Sequence, residues 1–552
     1  MEEKFNELFL EPSKYYAGGL NEEHHHVVEE YLADLVKQSG IDVEGNKITA
    51  KELHAKQKEL AEVNKKLGKT KAMSKFLLIF GIILAVALIG IILLIIRKNK
   101  YKNLEKELSD LTAKKQKEVD ELLEKSRNEI APLVSLFNDS MSTDLINKSA
   151  PFIQFNNRLD SSFITRMEEQ FAYKIDPKLE NSTLVIQSGT MRNNPFMIRQ
   201  YYHQRMVPKI YTGTLLISYQ TTVTTNEGTK TITQTQTLVA HVTKDEPAYN
   251  VASELIYCND ACPKLSFSRS PTDLYKMNEK QVAKYIDKFE KEDQKKAEKA
   301  IKKGTTYTKM ANSKFEAYWN SQGRNDEVGY RLMFTPLAQT NIVHLFSLKE
   351  PYGDDVYYTK IGCVSTVATR HSQSMDYSGG IYNYTADTYE EVETKFMNYN
   401  LEFFQGMMFD FFPLISIPIF HQNVSAPFLG SENVKYAVPK YEVEVMANKL
   451  DGAMFKAEGS STDVIIEAKH VSSANGIDNV EIIGHTFIAI PRVELVPTLG
   501  GDGKMHPVPV HYFDYEPLEK VVKAKAYKNS ANLNKNSGTL ISYKDFALEI
   551  LQ

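Results

Sequence analysis

The chain has 552 residues, more than one hydrophobic core can organise, so two or more domains are expected. Its 66 basic and 70 acidic residues leave a formal net charge of −4, and only twelve of the basic residues are Arg, which gives no global bias towards nucleic acid or an acidic polymer. Three cysteines, Cys258, Cys262 and Cys363, are too few for a disulfide framework of the small secreted kind.

Residues 1–72 read as a small helical module. Val27, Val28, Tyr31, Leu32 and Leu35 recur at helical spacing and predict an amphipathic helix over 22–38. A second helix is expected from Thr49, where Thr49-x-x-Glu52 has the form of a capping box; it carries Leu53, Leu60 and Leu67 and should stop at Gly68. Three motif-like stretches here fail on spacing. His24, His25 and His26, with Glu29 and Glu30 one turn on, lack a third metal ligand and read as a solvated polar face. Aligning Gly45 with a calcium loop leaves Gly40 where the first Asp belongs and Lys51 in the last ligand position. Gly68-Lys69-Thr70 ends like a phosphate loop, but Val63 stands where the first Gly must be.

Within 73–97, Phe76 to Ile96 runs for twenty-one residues without a charge, amide or hydroxyl. As one helix it would be about 31 Å long, matching a bilayer core of about 30 Å, and it is read as a single transmembrane span. The flanks do not orient it. Lys65, Lys66, Lys69, Lys71 and Lys75 precede it; Arg97, Lys98, Lys100, Lys102 and Lys106 follow. A structured N-terminal segment with no signal ahead of it is easier to leave inside, which favours a single-pass plasma-membrane protein of a bacterial envelope with a cytoplasmic N-terminus. Gly81 and Ala85 form a small-xxx-small pair, a route to self-association through the span.

Residues 98–131 continue as a charged helical stalk. Leu104, Leu108, Leu111, Val119, Leu122 and Ile130 begin a heptad seam that slips where Lys115 falls on it, so a short two- or three-stranded coiled coil is a second route to self-association. Pro132 marks its end.

From there the pattern turns to strands. Residues 132–270 read as a strand-rich subdomain in which Tyr211–Val223 and Lys230–Val242 form a projecting polar hairpin around Asn226-Glu227-Gly228. Residues 271–552 read as an α+β subdomain. Asn278 caps a helix closed by Gly304, and Thr388-x-x-Glu391 caps another with the stripe Val392, Phe396, Tyr399, Phe403, Met407 and Phe411. That stripe runs into an apolar stretch, Phe403 to Phe420, whose Gln405, Asp410, Pro413 and Pro418 mark it as buried core and not a second span. Strands are expected at 435–446, 463–471, 480–496, 507–513 and 539–542.

No catalytic, cofactor-binding or metal-ligating residue can be nominated. No His is followed by Glu in a zincin pattern, and neither G-x-S-x-G nor S-x-x-K occurs. Cys258 and Cys262 have neither redox nor zinc-ribbon spacing and read as reduced core residues. Tyr352-Gly353-Asp354-Asp355 resembles the paired-Asp turn of template-copying polymerases, but with no identifiable upstream Asp or basic template channel it reads as a polar hairpin turn joining two short apolar runs. Gly500-Gly501-Asp502-Gly503 lacks a following helix and reads as a turn.

The fold expected is therefore a single-span transmembrane helix with a small all-α N-terminal module, a helical stalk and a large mixed α+β, strand-rich C-terminal region of two subdomains. The function expected is a membrane-anchored structural or interaction protein, a scaffold with no catalytic signature and no cofactor. Its partners would be the lipid bilayer and an unidentified protein, and no nucleic acid. The rivals are a membrane-tethered enzyme with a site built from scattered loop residues, and a transmembrane sensor relaying to a cytoplasmic partner.

Overall fold

The computed structural model describes residues 7–84, 89–159, 161–174, 181–225, 228–304, 307, 309–422, 438–527, 539–543 and 546–551. The chain divides into two compact units, one comprising Asn21–Ser149 and Gly379–Phe404, the other Met1–Leu20, Ala150–Ser378 and Gln405–Gln552.

The first unit is built from α1 (Asn21–Ser39), α2 (Val43–Ile83), α3 (Ile89–Ile96), α4 (Lys102–Val134), α5 (Met141–Ser149) and the first part of α6 (Tyr389–Ile415). Helix α2 begins earlier than Thr49, because the Asp42 carboxylate caps it by accepting from the Gly45 N–H at 2.9 Å. Nor does Gly68 stop it. A mid-helix Gly costs about 1 kcal/mol, and burying Leu53, Leu60 and Leu67 outweighs that. Leu53 and Leu60 pack against Val119, Leu122 and Leu123 of α4, so the strand that completes the seam is α2 of the same chain. Lys115 tolerates its place there by pairing with Glu59 at 2.7 Å and Glu118 at 3.2 Å. Pro132 lies inside α4, not at its end.

The single span is not formed. Helix α2 ends at Ile83, Leu84 is a turn, and α3 returns antiparallel beside α2; residues 85–88, Ala85 among them, lie outside the described residues. Three contacts fix the fold-back. Gly90 N–H donates to the Leu84 carbonyl at 3.1 Å, and Arg97 Nε donates to the Ser74 carbonyl at 3.0 Å. Gly81 sits so close to the returning helix that a Cβ there would lie 2.8 Å from the Leu94 side chain. Each apolar arm, Phe76–Ile83 and Ile89–Ile96, is about 12 Å long, under half of a bilayer core. Among the described residues no helix is long and apolar enough to cross a membrane. The transmembrane fold class, the single-pass plasma-membrane localisation and the bacterial-envelope reading are corrected accordingly. Hydropathy measured the length of the greasy run correctly, but not its change of direction.

At the base of this hairpin, Val28, Leu32 and Leu35 of α1 share a core with Ile130, Leu133, Met141, Leu145, Val392 and Phe396. Helix α6 starts where its sequence predicts, with Thr388 Oγ1 accepting from Glu391 N–H at 3.3 Å. Its apolar continuation is interior: Phe403, Phe404, Met407, Phe411, Phe412, Leu414 and Ile417 are all buried.

The second unit holds two antiparallel sheets. Strands β1 (Ile153–Phe155), β2 (Asn181–Met191), β3 (Asn194–Thr225), β4 (Gly228–Cys258), β5 (Ser266–Arg269), β6 (Val356–Ile361) and β7 (Val364–Thr369) pair in the order β1-β2-β3-β4-β7-β6-β5. Strands β8 (Ile465–Ala474), β9 (Ile477–Leu499), β10 (Met505–Tyr527), β11 (Thr539–Tyr543) and β12 (Phe546–Ile550) pair as β11-β12-β10-β9-β8. The strand expected at 435–446 is instead helix α7 (Lys440–Asn448), its first three positions lying outside the described residues. Tyr441, Val443 and Val445 alternate as in a strand, yet the intervening Glu442 and Glu444 are buried as well, so the element is enclosed on every side. Glu444 is satisfied by the Thr183 N–H and hydroxyl at 3.0 and 2.7 Å, and burial raises its pKa.

Strands β3 and β4 outrun their neighbours. Strand β2 pairs with β3 only up to His203, and β7 pairs with β4 only from Leu255, leaving a two-stranded ribbon some 70 Å long. Asn226 and Glu227 at its tip lie outside the described residues, and Gly228 has φ +122°. Strands β9 and β10 make a second ribbon beyond His485 and Lys523. The ribbons pack face to face: Ile217, Leu238, Ala240 and Val242 meet Val508 and Val510. Gly213 permits this contact, since a Cβ there would lie 2.1 Å from the Pro509 carbonyl oxygen. The Gly500–Gly503 segment is the β9–β10 turn, and Gly501 N–H donates to Gln236 Oε1 at 2.7 Å.

Candidate functional site

The paired-Asp turn is where the second unit concentrates its charge. Gly353, at φ +68°, turns the chain so that Asp354 and Asp355 point to different partners. Asp354 grips Arg269 in a fork, each oxygen 2.8 Å from a guanidinium nitrogen, and also accepts from Thr272 N–H and Oγ1 at 2.8 and 2.9 Å. Both charged side chains are fully buried. The carboxylate's acceptor sites are thus filled from within the protein, the opposite of what a metal-holding Asp needs.

Asp355 turns the other way. It accepts from His371 Nδ1 at 2.7 Å and from the His371 N–H at 2.9 Å. His371 Nε2 lies 3.3 Å from the Gly406 carbonyl and 3.4 Å from Asp410 Oδ1. Asp410 in turn accepts from Thr369 Oγ1 at 2.6 Å and Tyr377 Oη at 2.8 Å, and Tyr352 stacks on the imidazole at 3.8 Å. Two carboxylates around one imidazole are the raw material of acid–base chemistry. Two observations weigh against that use. The three side chains are at most 9% exposed, and the neighbouring Ser372 donates its hydroxyl to the Thr369 carbonyl at 3.1 Å, not to His371.

Burial works against the imidazolium, but the hydrogen bond to Asp355 and the charges of Asp410 and Asp355 outweigh it, so the His371 pKa is raised. Burial also raises Asp410, against the pull of His371 and its two hydroxyl donors. A raised histidine pKa stabilises the fold fully below about pH 6.5, and that contribution is lost as pH rises through the folded value. The unfolding free energy of the wild type should therefore fall across the neutral range more steeply than that of His371→Gln. Parallel denaturant titrations through that range check it, and superimposable profiles would contradict it.

The cysteines are all free. Cys258 is fully buried and burial pushes its thiol up; Cys262 Sγ donates to the Gly329 carbonyl at 3.3 Å. Lys360 is fully buried too. Its Nζ donates to the Gly362 carbonyl at 2.5 Å, and desolvation lowers its pKa to about 8. Among the histidines expected on a solvated face, His25 and His26 do pair with Glu29 and Glu30 in solvent. His24 instead is buried, with Nδ1 2.7 Å from Ser149 Oγ and its ring stacked on Phe404 at 3.8 Å. Among the described residues no three His, Cys, Asp or Glu side chains are placed to hold a metal ion.

Comparison with known families, curated proteins and solved structures finds no match. Function rests on geometry alone. His371, Asp410 and Lys360 belong to no motif; the one sequence signal was an Asp inside the apolar run 403–420. What the second unit presents to solvent is different in kind. The outward face of the β3–β4 ribbon carries Ile210 and Leu216, each about two-thirds exposed, and the outward face of β9–β10 carries Leu495, Leu499 and Met505, similarly exposed.

Proposed function

We propose that the chain is a non-catalytic interaction protein that docks partner proteins on the outer faces of its stacked β-ribbons. The observation that carries this reading is a set of large apolar side chains standing in solvent on each of the two opposite outer faces of long, regular strands, Ile210 and Leu216 on one and Leu495 and Leu499 on the other. The ribbon edges are poor docking sites by comparison. Pro208, Pro247, Pro491, Pro497, Pro507, Pro509 and Pro517 lie in these strands, and each removes a ladder donor that strand addition would need. A face-on contact uses side chains and tolerates those prolines.

Leu216→Glu combined with Leu495→Glu places one charge on each outer face without touching the core. The expected result is an unchanged fold by circular dichroism with loss of the proteins that crosslink to the wild-type chain in a cell lysate. Recovery of the same set by wild type and variant would remove the ribbons from the reading.

A further inference from the structure

We propose that the tip of the α2–α3 hairpin docks on a lipid surface rich in anionic headgroups, entering one leaflet without crossing it. Among the described residues, eleven large apolar side chains are exposed there: Phe76, Ile79, Phe80, Ile82, Ile83 and Leu84 on the outgoing arm, with five isoleucines on the return. Monomers in water rarely expose so continuous an apolar surface without covering it. Each arm reaches about 12 Å, which fits one leaflet of a core about 30 Å thick. Gly90 N–H donates to the Leu84 carbonyl, so these two backbone groups are satisfied within the hairpin.

Charge identifies the occupant. From Val63 to Leu104 the sequence has no Asp or Glu and nine Lys or Arg. On a straight span the two basic flanks would lie on opposite sides of a bilayer. Folding back brings them to one level, as the Arg97–Ser74 bond shows, and makes a cationic collar directly below the apolar tip. Lys65, Lys66, Lys69, Lys71, Lys75, Lys98, Lys100 and Lys102 are exposed in that collar. Anionic headgroups complement this ring, whereas a second copy of the tip would set two such collars against each other.

The test is flotation of the full chain with phosphatidylcholine vesicles, with and without phosphatidylserine. Wild type should float with the phosphatidylserine vesicles and lose binding at high salt. Ile83→Asp combined with Ile92→Asp should abolish flotation. Lys69→Gln, Lys71→Gln and Lys98→Gln together should reduce binding roughly a hundredfold, at about fivefold per lysine. Circular dichroism confirms that the variants fold, and an Ile92→Trp chain supplies a second readout through a blue shift of its emission on vesicles. Wild type that stays at the bottom of the gradient would overturn the proposal. So would charged-tip variants that float like wild type, or a tip-dependent dimer that ignores vesicles.

Discussion

Replacing Arg269 by Met should lower the unfolding free energy by about 3–5 kcal/mol, the range seen when one partner of a buried ion pair is removed. The guanidinium is fully enclosed. Besides the fork to Asp354 it donates to the carbonyls of Val356 at 2.7 Å, Trp319 at 3.2 Å and Tyr318 at 3.2 Å. It also lies over the rings of Phe346 and Trp319, at 4.3 and 5.4 Å. Met fills much of the volume but leaves Asp354 charged, buried and held only by Thr272. The double variant Arg269→Met/Asp354→Leu should recover a large share of the loss, because an apolar pair of similar size needs no desolvated charge. Trp319 is the chain's only tryptophan, so its fluorescence in a denaturant titration reports on this corner directly. A loss below about 1 kcal/mol in the single variant would mean that Asp354 is solvated or neutralised in a way the geometry does not show.

Local signals carried well from sequence to structure, and signals that depend on a distant partner did not. The helix Glu279–Lys303 has its Asn278–Gln281 capping box and its left-handed Gly304 where the spacing puts them, because cap and partner lie within one turn. Tyr211–Val223 and Lys230–Val242 pair for the same reason: a short loop sets the register. Helix α7 carries a strand-like pattern because two buried glutamates imitate the polar half of a strand, and the groups that satisfy them, Thr183 and Leu159, are over 250 residues away. The Asp355–His371–Asp410 cluster has the same character, since its carboxylates reach the imidazole from a turn and from a helix far apart in the chain. The reversal at Leu84 left only faint marks. Gly81 and Gly90 are where the arms touch, and neither residue breaks an apolar run by itself. The equal basic flanks were the clearer sign, for a hairpin puts both on one side and removes any asymmetry to be read.

The second large effect is expected at the root of that hairpin. Asn46 is 1% exposed, and its side-chain amide holds three helices at once. Nδ2 donates to the Ser126 carbonyl at 3.2 Å, Ser126 Oγ at 3.0 Å and Glu129 Oε2 at 2.9 Å, while Oδ1 accepts from Tyr389 N–H at 2.8 Å. Asn46→Leu leaves the buried first N–H of α6 without its acceptor and takes a donor from the part-exposed Glu129. At roughly 1–3 kcal/mol for each stranded group, the loss should be about 3 kcal/mol. It should be local: amide exchange ought to quicken around 43–50 and 124–131, where α2 and α4 are rooted, and much less among the sheets of the other unit. Asn46→Asp separates hydrogen bonding from shape. It keeps an acceptor for Tyr389 but brings a second carboxylate against Glu129, so it should be weakened at neutral pH and regain stability as acid protonates the pair. If Asn46→Leu exchanges like wild type, the hairpin is held by the Leu53 and Leu60 seam with Val119 alone, and the amide is incidental to how the arm is carried.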